Sequence, residues 1–354
     1  PRLALGNLKG RAIDIDVAPD RPDTAGSIGD LAARLYYLPL KMLEYVTNTV
    51  VFQPYTGAMK GPLATLQAKA GNDWDTNALL AALFGAAGLS TRYVSGVVEA
   101  TDGQLKDYVG TRDVGAANRV LAAAGLGIDG SANRFRHTWL EARMTVPATG
   151  LPAWVPVDGA WKTRDFRPGV PDVLASVPFS PRETGYLTDS TWQKKSPAEY
   201  YETKVADWLA RNRPDLTIAD VGYDGPIRQR VFGSLPTTLP YVVVSQPPEQ
   251  DRPVTIPATA QYTVNVRLAN GSSQLFGPGG VSFVLADVVL SRLTIDPGVD
   301  GRPMLRREGV TVAIASLPIA NAATTSLALT INVTAPAGGT TYARTFTRGA
   351  DRCI

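Results

Sequence analysis

The 354-residue sequence holds one cysteine and one histidine. The cysteine, Cys353, stands next to the C-terminal residue, which excludes an internal disulfide framework and a cysteine-based metal site. With one histidine, any imidazole acid or base must be His137. No run of Lys or Arg exceeds two residues and the net charge is +3. The clustered cations that phosphate binding requires are missing, so nucleic acid is not an expected partner. No stretch approaches the roughly 18 consecutive apolar residues of a membrane helix, so no membrane span is expected. The sequence has no signal peptide and opens on Pro1 rather than Met, so it is expected to be part of a larger polypeptide. Nothing in it asks for a cofactor, and a monomer is expected.

The composition, 44% apolar and 19% charged, is that of a folded protein, long enough for two domains. The 33 glycines, 27 prolines and a Thr/Val-rich second half resemble extracellular β-modules, and the expected location is extracellular or the cell envelope.

Residues 71–88 read as a polar turn feeding an apolar helix. Leu79, Leu80, Leu83, Phe84 and Ala87 make a wide buried helical face, and Gly88 supplies the stop. Asn72, Asp73 and Asp75 offer oxygens to the free N–H groups of the first turn. A group at position 73 feels the positive end of the helix.

Residues 1–28 are an extended lead-in, followed by helices over 28–37 and 40–46, a strand-like stretch over 50–55 and a short helix over 62–69. Residues 92–99 and 137–144 alternate as strands, with His137, Trp139, Glu141 and Arg143 on the face opposite Thr138, Leu140 and Ala142. Between them, 104–125 is an Ala- and Leu-rich helical insertion. Residues 154–158 form a strand that ends at Asp158. A helix is expected from 197 to 211 and a Pro-rich linker over 246–253. Runs over 262–268, 281–285, 288–295, 310–314, 326–333 and 342–347 argue for a β-sandwich. The division is 1–39, lead-in and helix; 40–195, an α+β domain; 196–253, helical extension and linker; 254–354, a sandwich-like domain.

His137 opens one strand and Asp158 ends the next. Antiparallel neighbours would bring them together, with Asp158 fixing the imidazole tautomer. Their third partner would sit at the start of the buried helix. Bland readings stand beside this one: Asp73 as an N-cap, His137 as a satisfied structural histidine, Asp158 as a turn residue, Asp75 as a cap contact and Glu141 as a solvated strand residue. A metal site from Asp73, Asp75, His137 and Asp158 is conceivable, but the spacing does not demand it, and none is assigned.

Three motifs in order carry a resemblance: residues 71–88 running into 89–96, His137-Thr138-Trp139-Leu140-Glu141-Ala142, and Trp154-Val155-Pro156-Val157-Asp158. Over roughly residues 40–165 the chain resembles the core of the transglutaminase-like superfamily. The resemblance implies a papain-like α+β fold, a central helix packed on an antiparallel sheet, and a Cys, His and Asp site. Here the nucleophile position falls on Asp73, and the His and Asp positions on His137 and Asp158. The Gly-Asn-Asp-aromatic-Asp head resembles a subgroup found in large bacterial surface and repeat-bearing proteins.

The helix N-terminus should hold Asp73 ionised and paired with a protonated His137 of raised pKa. A carboxylate can be a nucleophile in hydrolases that pass through an ester intermediate, or act as acid or base on water. Its attack on an amide would form a high-energy anhydride. Gln53, Tyr55, Trp74 and Trp139 are candidates for lining the cleft or stabilising an oxyanion. Three functions fit: a hydrolase or acyl transferase with an Asp-His-Asp triad acting on a protein, peptide or ester; a non-catalytic binding module; and a processing or self-modifying module of a surface protein.

Overall fold

Helix α4 (Asp73–Ala86) is the element on which the first half of the molecule packs. Asn72 is its N-cap, with a side-chain oxygen accepting from the Asp75 N–H at 2.9 Å. Gly88 beyond its end takes the left-handed conformation expected of a stop, φ +78°. Leu79, Leu80, Leu83 and Phe84 are wholly buried. In the computed structural model, residues 13–15, 27–128, 131–145, 150–170, 173–178, 186, 195–222, 224–298, 300–318, 327–336, 338 and 340–347 are described. Cys353 and most of the lead-in lie outside them.

From the N-terminal side come β1 (Ile13–Ile15), α1 (Ile28–Arg34), α2 (Pro39–Thr49), β2 (Val51–Phe52), α3 (Gly61–Ala68) and β3 (Ala70–Gly71). After α4 follow β4 (Thr91–Glu99), α5 (Asp102–Val109), α6 (Val114–Ala123), β5 (Gly127–Ile128), β6 (Ser131–Thr145) and β7 (Pro152–Val157). Then come α7 (Val173–Ser176), α8 (Pro197–Asn212), α9 (Ile218–Val221) and β8 (Val242–Ser245).

An antiparallel sheet of order β5-β6-β4-β8, with β7 also on β6, has both faces covered. Tyr93, Leu140 and Ala142 join α4, α1 and α2 in one core; Val94, Phe135 and Trp139 join α5 and α6 in the other. The expected alternation over 137–144 therefore holds, because successive side chains of a strand point to opposite faces.

A second pair of antiparallel sheets is built from β9 (Thr263–Asn270), β10 (Ser273–Gln274), β11 (Val281–Val284), β12 (Leu293–Pro297), β13 (Pro303–Arg307), β14 (Val310–Ile314), β15 (Leu327–Thr334) and β16 (Thr340–Thr347). One sheet runs β1-β12-β13-β14, the other β10-β9-β15-β16 with β11 on β9. Leu293, Ile295 and Leu305 from the first meet Val266, Leu268 and Leu329 from the second in a shared core. This is a sandwich. The chain as a whole is α+β, a mixed helix-and-sheet part followed by an all-β sandwich, as expected.

Several local expectations are corrected. The stretch 50–55 pairs only over β2, in parallel with β3, before Pro54 ends it. β6 starts at Ser131, so His137 lies within a strand rather than at its head; Asn133, at φ +63°, looks like a turn residue in sequence yet belongs to the strand. Residues 288–295 are not one strand: the short helix α10 (Leu285–Val288) precedes β12. β13 was hidden by its flanking Pro303 and by Arg306-Arg307. Within the lead-in, β1 pairs with β12, Ile13 opposite Ile295, and so belongs to the sandwich. Residues 246–253 lie against the sheet: Tyr93 N–H donates to the Pro253 carbonyl, and Arg252 bonds Glu141.

The two halves meet at the turn before α3. Ala58 N–H donates to the Ala260 carbonyl at 2.7 Å, and Tyr262 N–H to the Ala58 carbonyl at 3.0 Å. Gly57, at φ +70°, allows this approach, since a Cβ there would lie 2.7 Å from the Ala260 carbonyl oxygen. Among the described residues no helix is long and apolar enough to cross a membrane.

Candidate active site

Asp73 is the first residue of α4, one position past the cap. Its Oδ2 accepts from the Thr138 backbone N–H at 2.6 Å, tying the helix start to β6. Its Oδ1 is buried without a hydrogen-bond partner. Asp75 points elsewhere: it accepts from the Tyr55 hydroxyl at 2.7 Å and from the N–H groups of Met59, Lys60 and Gly61. It therefore caps the start of α3 rather than its own helix. Asn72 holds the same turn by donating to the Tyr55 and Gly57 carbonyls.

His137 pairs with Gly96 across the sheet and is wholly buried. Its Nε2 is 2.8 Å from Asp158 Oδ2, its Nδ1 3.2 Å from the Tyr108 hydroxyl and 3.7 Å from Asp73 Oδ2. Tyr108, Trp161 and Tyr241 surround the ring at centroid distances of 5.2, 5.8 and 5.2 Å. Asp158 Oδ2 also accepts from the Tyr241 hydroxyl at 3.1 Å; its Oδ1 accepts from the Ala160 N–H and from Asn77 Nδ2. Asn77, one turn into α4, further donates to the Thr138 carbonyl at 2.8 Å and accepts from the Gly159 N–H at 3.0 Å. One amide thus joins the helix, β6 and the turn after β7.

Asp73, His137 and Asp158 are therefore neighbours, with side chains 3%, 0% and 2% exposed. Burial pushes the Asp73 carboxyl up to about 6, against the downward pull of the His137 charge and the Thr138 N–H. Desolvation thus outweighs the helix dipole, which alone would lower the carboxyl, yet at about 6 Asp73 is still mostly ionised at neutral pH, as expected. Burial also works against a charged His137, but the Asp158 charge and hydrogen bond, helped by Asp73, raise its pKa overall, as expected. Asp158 is held below the usual carboxylate range by His137 despite burial. Nearby Lys162 is wholly buried; its Nζ donates to the Val46, Thr47 and Gly159 carbonyls at 3.0, 3.0 and 2.8 Å, and burial lowers it to about 7.

The other candidates lie apart. Gln53 is exposed and accepts from Lys60 Nζ; the Tyr55 hydroxyl is committed to Asp75; Trp74 stacks on Tyr93 at 5.8 Å. None of these three side chains bonds to or stacks on His137 or Asp158. Trp139 is buried beside Tyr241, 6.1 Å between ring centroids. Glu141, expected to be solvated, is 8% exposed and bonded to Arg92 and Arg252, each at 2.6 Å. Asn77, Tyr108 and Tyr241 went unnoticed in the sequence. A polar residue on the apolar face of α4 was a usable signal for Asn77, but the two tyrosines reach the site through tertiary contacts alone. Among the described residues no group of three or more His, Cys, Asp or Glu is arranged to hold a metal ion.

Chemically, the arrangement is a buried ion pair flanked by a second carboxylate, closed to solvent by aromatic rings. No curated protein matches the chain. Residues 25–159, which carry α4, the β4–β6–β7 sheet and all three central side chains, match the model of the transglutaminase-like superfamily.

Proposed function

We propose that the transglutaminase-like domain is a catalytically silent module that holds a partner segment, in an extracellular or cell-envelope setting. One observation carries this reading: the carboxylate in the nucleophile's place is spent on the Thr138 N–H at 2.6 Å and stops 3.7 Å from the imidazole. The imidazole is committed to Asp158 and Tyr108. Such a set braces a helix against a sheet, and the missing thiol removes the usual acyl acceptor. The test is turnover: wild type, Asp73→Asn and His137→Gln are offered ester, peptide and glutamine-plus-amine substrates. Equal background rates support the silent module; wild-type turnover lost in both variants would overturn it. The location is tested separately, by fractionation of the source cells.

A second reading is favoured by one specific feature. Asp73 Oδ1 has no partner, and its carboxyl, at about 6, is tuned to exchange a proton near neutral pH. An Asp-His-Asp hydrolase or acyl transferase acting on a protein, peptide or ester would use that oxygen once the rings over His137 moved aside. The same assay decides between the two.

A further inference from the structure

Between Leu209 and Tyr262, Tyr241 is the only described residue that is buried. The segment around it runs over the surface of the transglutaminase-like domain, and its backbone is gripped by side chains of that domain. Asn48 bonds both ways to Arg230, donating to its carbonyl at 2.8 Å and accepting from its N–H at 2.9 Å. Glu44 accepts from the Phe232 N–H at 2.8 Å, and Gln104 donates to the Pro240 carbonyl. β8 then adds to the edge of the sheet for three residue pairs, with a register shift at Val97/Val98, and leaves Val242 and Val244 exposed.

Proteins grip extended peptides in this way, with amide side chains on the backbone, strand addition at a sheet edge and one aromatic anchor. The anchor pocket is specific. The Tyr241 ring stands edge-on to His137 at 5.2 Å and against Trp161 at 4.6 Å, and its hydroxyl donates to Asp158 Oδ2. A phenol fits both the aromatic walls and the carboxylate floor, whereas a phenyl ring would leave that acceptor short of a donor.

We propose that residues 226–245 mark a peptide-binding channel filled in cis by the chain's own segment, and that its ligand class is an extended peptide with a tyrosyl anchor seated over His137. This rests on the reading that the site holds rather than transforms. The tether gives the resident segment a high effective concentration, so a second peptide enters only when the anchor is released.

The test uses the full chain and a labelled peptide with the sequence of residues 226–246. Tyr241→Ala should speed amide exchange over 226–245 by roughly tenfold or more while α4 and β6 stay protected. The peptide should bind this variant roughly tenfold more tightly than it binds wild type, and a peptide with phenylalanine as anchor should bind several-fold more weakly. Unchanged protection, equal affinity for variant and wild type, or indifference to the hydroxyl would overturn the proposal. If Tyr241→Ala does not fold, a protease site between Gly233 and Ser234, cut after folding, loosens the segment with Tyr241 intact. Binding to the cut chain but not the uncut chain supports the channel, and no difference overturns it. The mass of the peptide afterwards separates the two claims: cleaved or cross-linked peptide would sink the silent reading alone, and intact, unbound peptide the channel alone.

Discussion

Oδ2 of Asp73 stops 3.7 Å from Nδ1 of His137, while the opposite ring nitrogen closes to 2.8 Å on Asp158. The imidazole therefore has one firm carboxylate partner and one distant one, both in a dry interior. That asymmetry sets what each substitution should do.

Asp73→Asn should stabilise the protein at pH 7, whereas Asp73→Ala should not. The raised carboxyl means that the folded state prefers the proton: Asp73 contributes its full stability below pH 3.8 and loses it as pH rises through about 6. The resulting cost at neutral pH is on the order of 3 kcal/mol. Asparagine relieves it and keeps an oxygen for the Thr138 N–H; alanine leaves that buried donor unpaired, at about 1–3 kcal/mol. Urea titrations at pH 4 and pH 7 check this, and an asparagine advantage that does not shrink at pH 4 would refute it.

His137→Gln or Asp158→Asn should each cost roughly 3–5 kcal/mol, because each removes one side of a buried ion pair. The sign in pH follows from two opposite shifts. Raised His137 contributes fully below 6.5 and is lost as pH climbs through its folded value; lowered Asp158 contributes fully above 3.8 and is lost as pH falls. Both are intact between those values. As the only histidine of the chain, His137 gives an unambiguous NMR titration, and its imidazolium signal should persist past pH 6.5.

Asn77→Ala should destabilise by about 2–4 kcal/mol, since it unpairs the Thr138 carbonyl and the Gly159 N–H and removes a donor from Asp158. Asn77→Asp should be worse, placing a second anion beside Asp158. Denaturation midpoints of the two variants at pH 7 give the order.

Lys162→Met should lose ground against wild type as pH rises from 7 towards 10.5. Burial lowers this amine to about 7, so its folded form prefers to be neutral; that contribution is full above 10.5 and fades as pH falls through about 7. The difference in stability between wild type and variant, followed across that range, tests it. A flat difference would show that Nζ keeps its charge among the Val46, Thr47 and Gly159 carbonyls.

What the sequence made legible was set by local periodicity. The buried face of α4 follows from a 3.6-residue repeat, and the meeting of His137 with Asp158 from two neighbouring antiparallel strands. What stayed hidden depends on chain distant in sequence. Glu141 looked solvated because Arg252, which covers it, lies 111 residues away. Tyr241 reaches Asp158 across 83 residues, and Asp75, which looks like a cap for its own helix, caps a turn 14 to 16 residues before it. The upward shift of Asp73 is not legible in sequence, because a helix terminus can be seen there but the depth of its burial cannot.

Strand β1 comes before the transglutaminase-like domain, β16 comes long after it, and both are laid into the sandwich. The domain is thus a loop excursion between two anchored strands. Tension applied to the polypeptide at its flanks loads the β1–β12 and β15–β16 pairings first, and Asp73, His137 and Asp158 stay slack until the sandwich yields. Single-molecule pulling should record the sandwich event before any extension from residues 27–260.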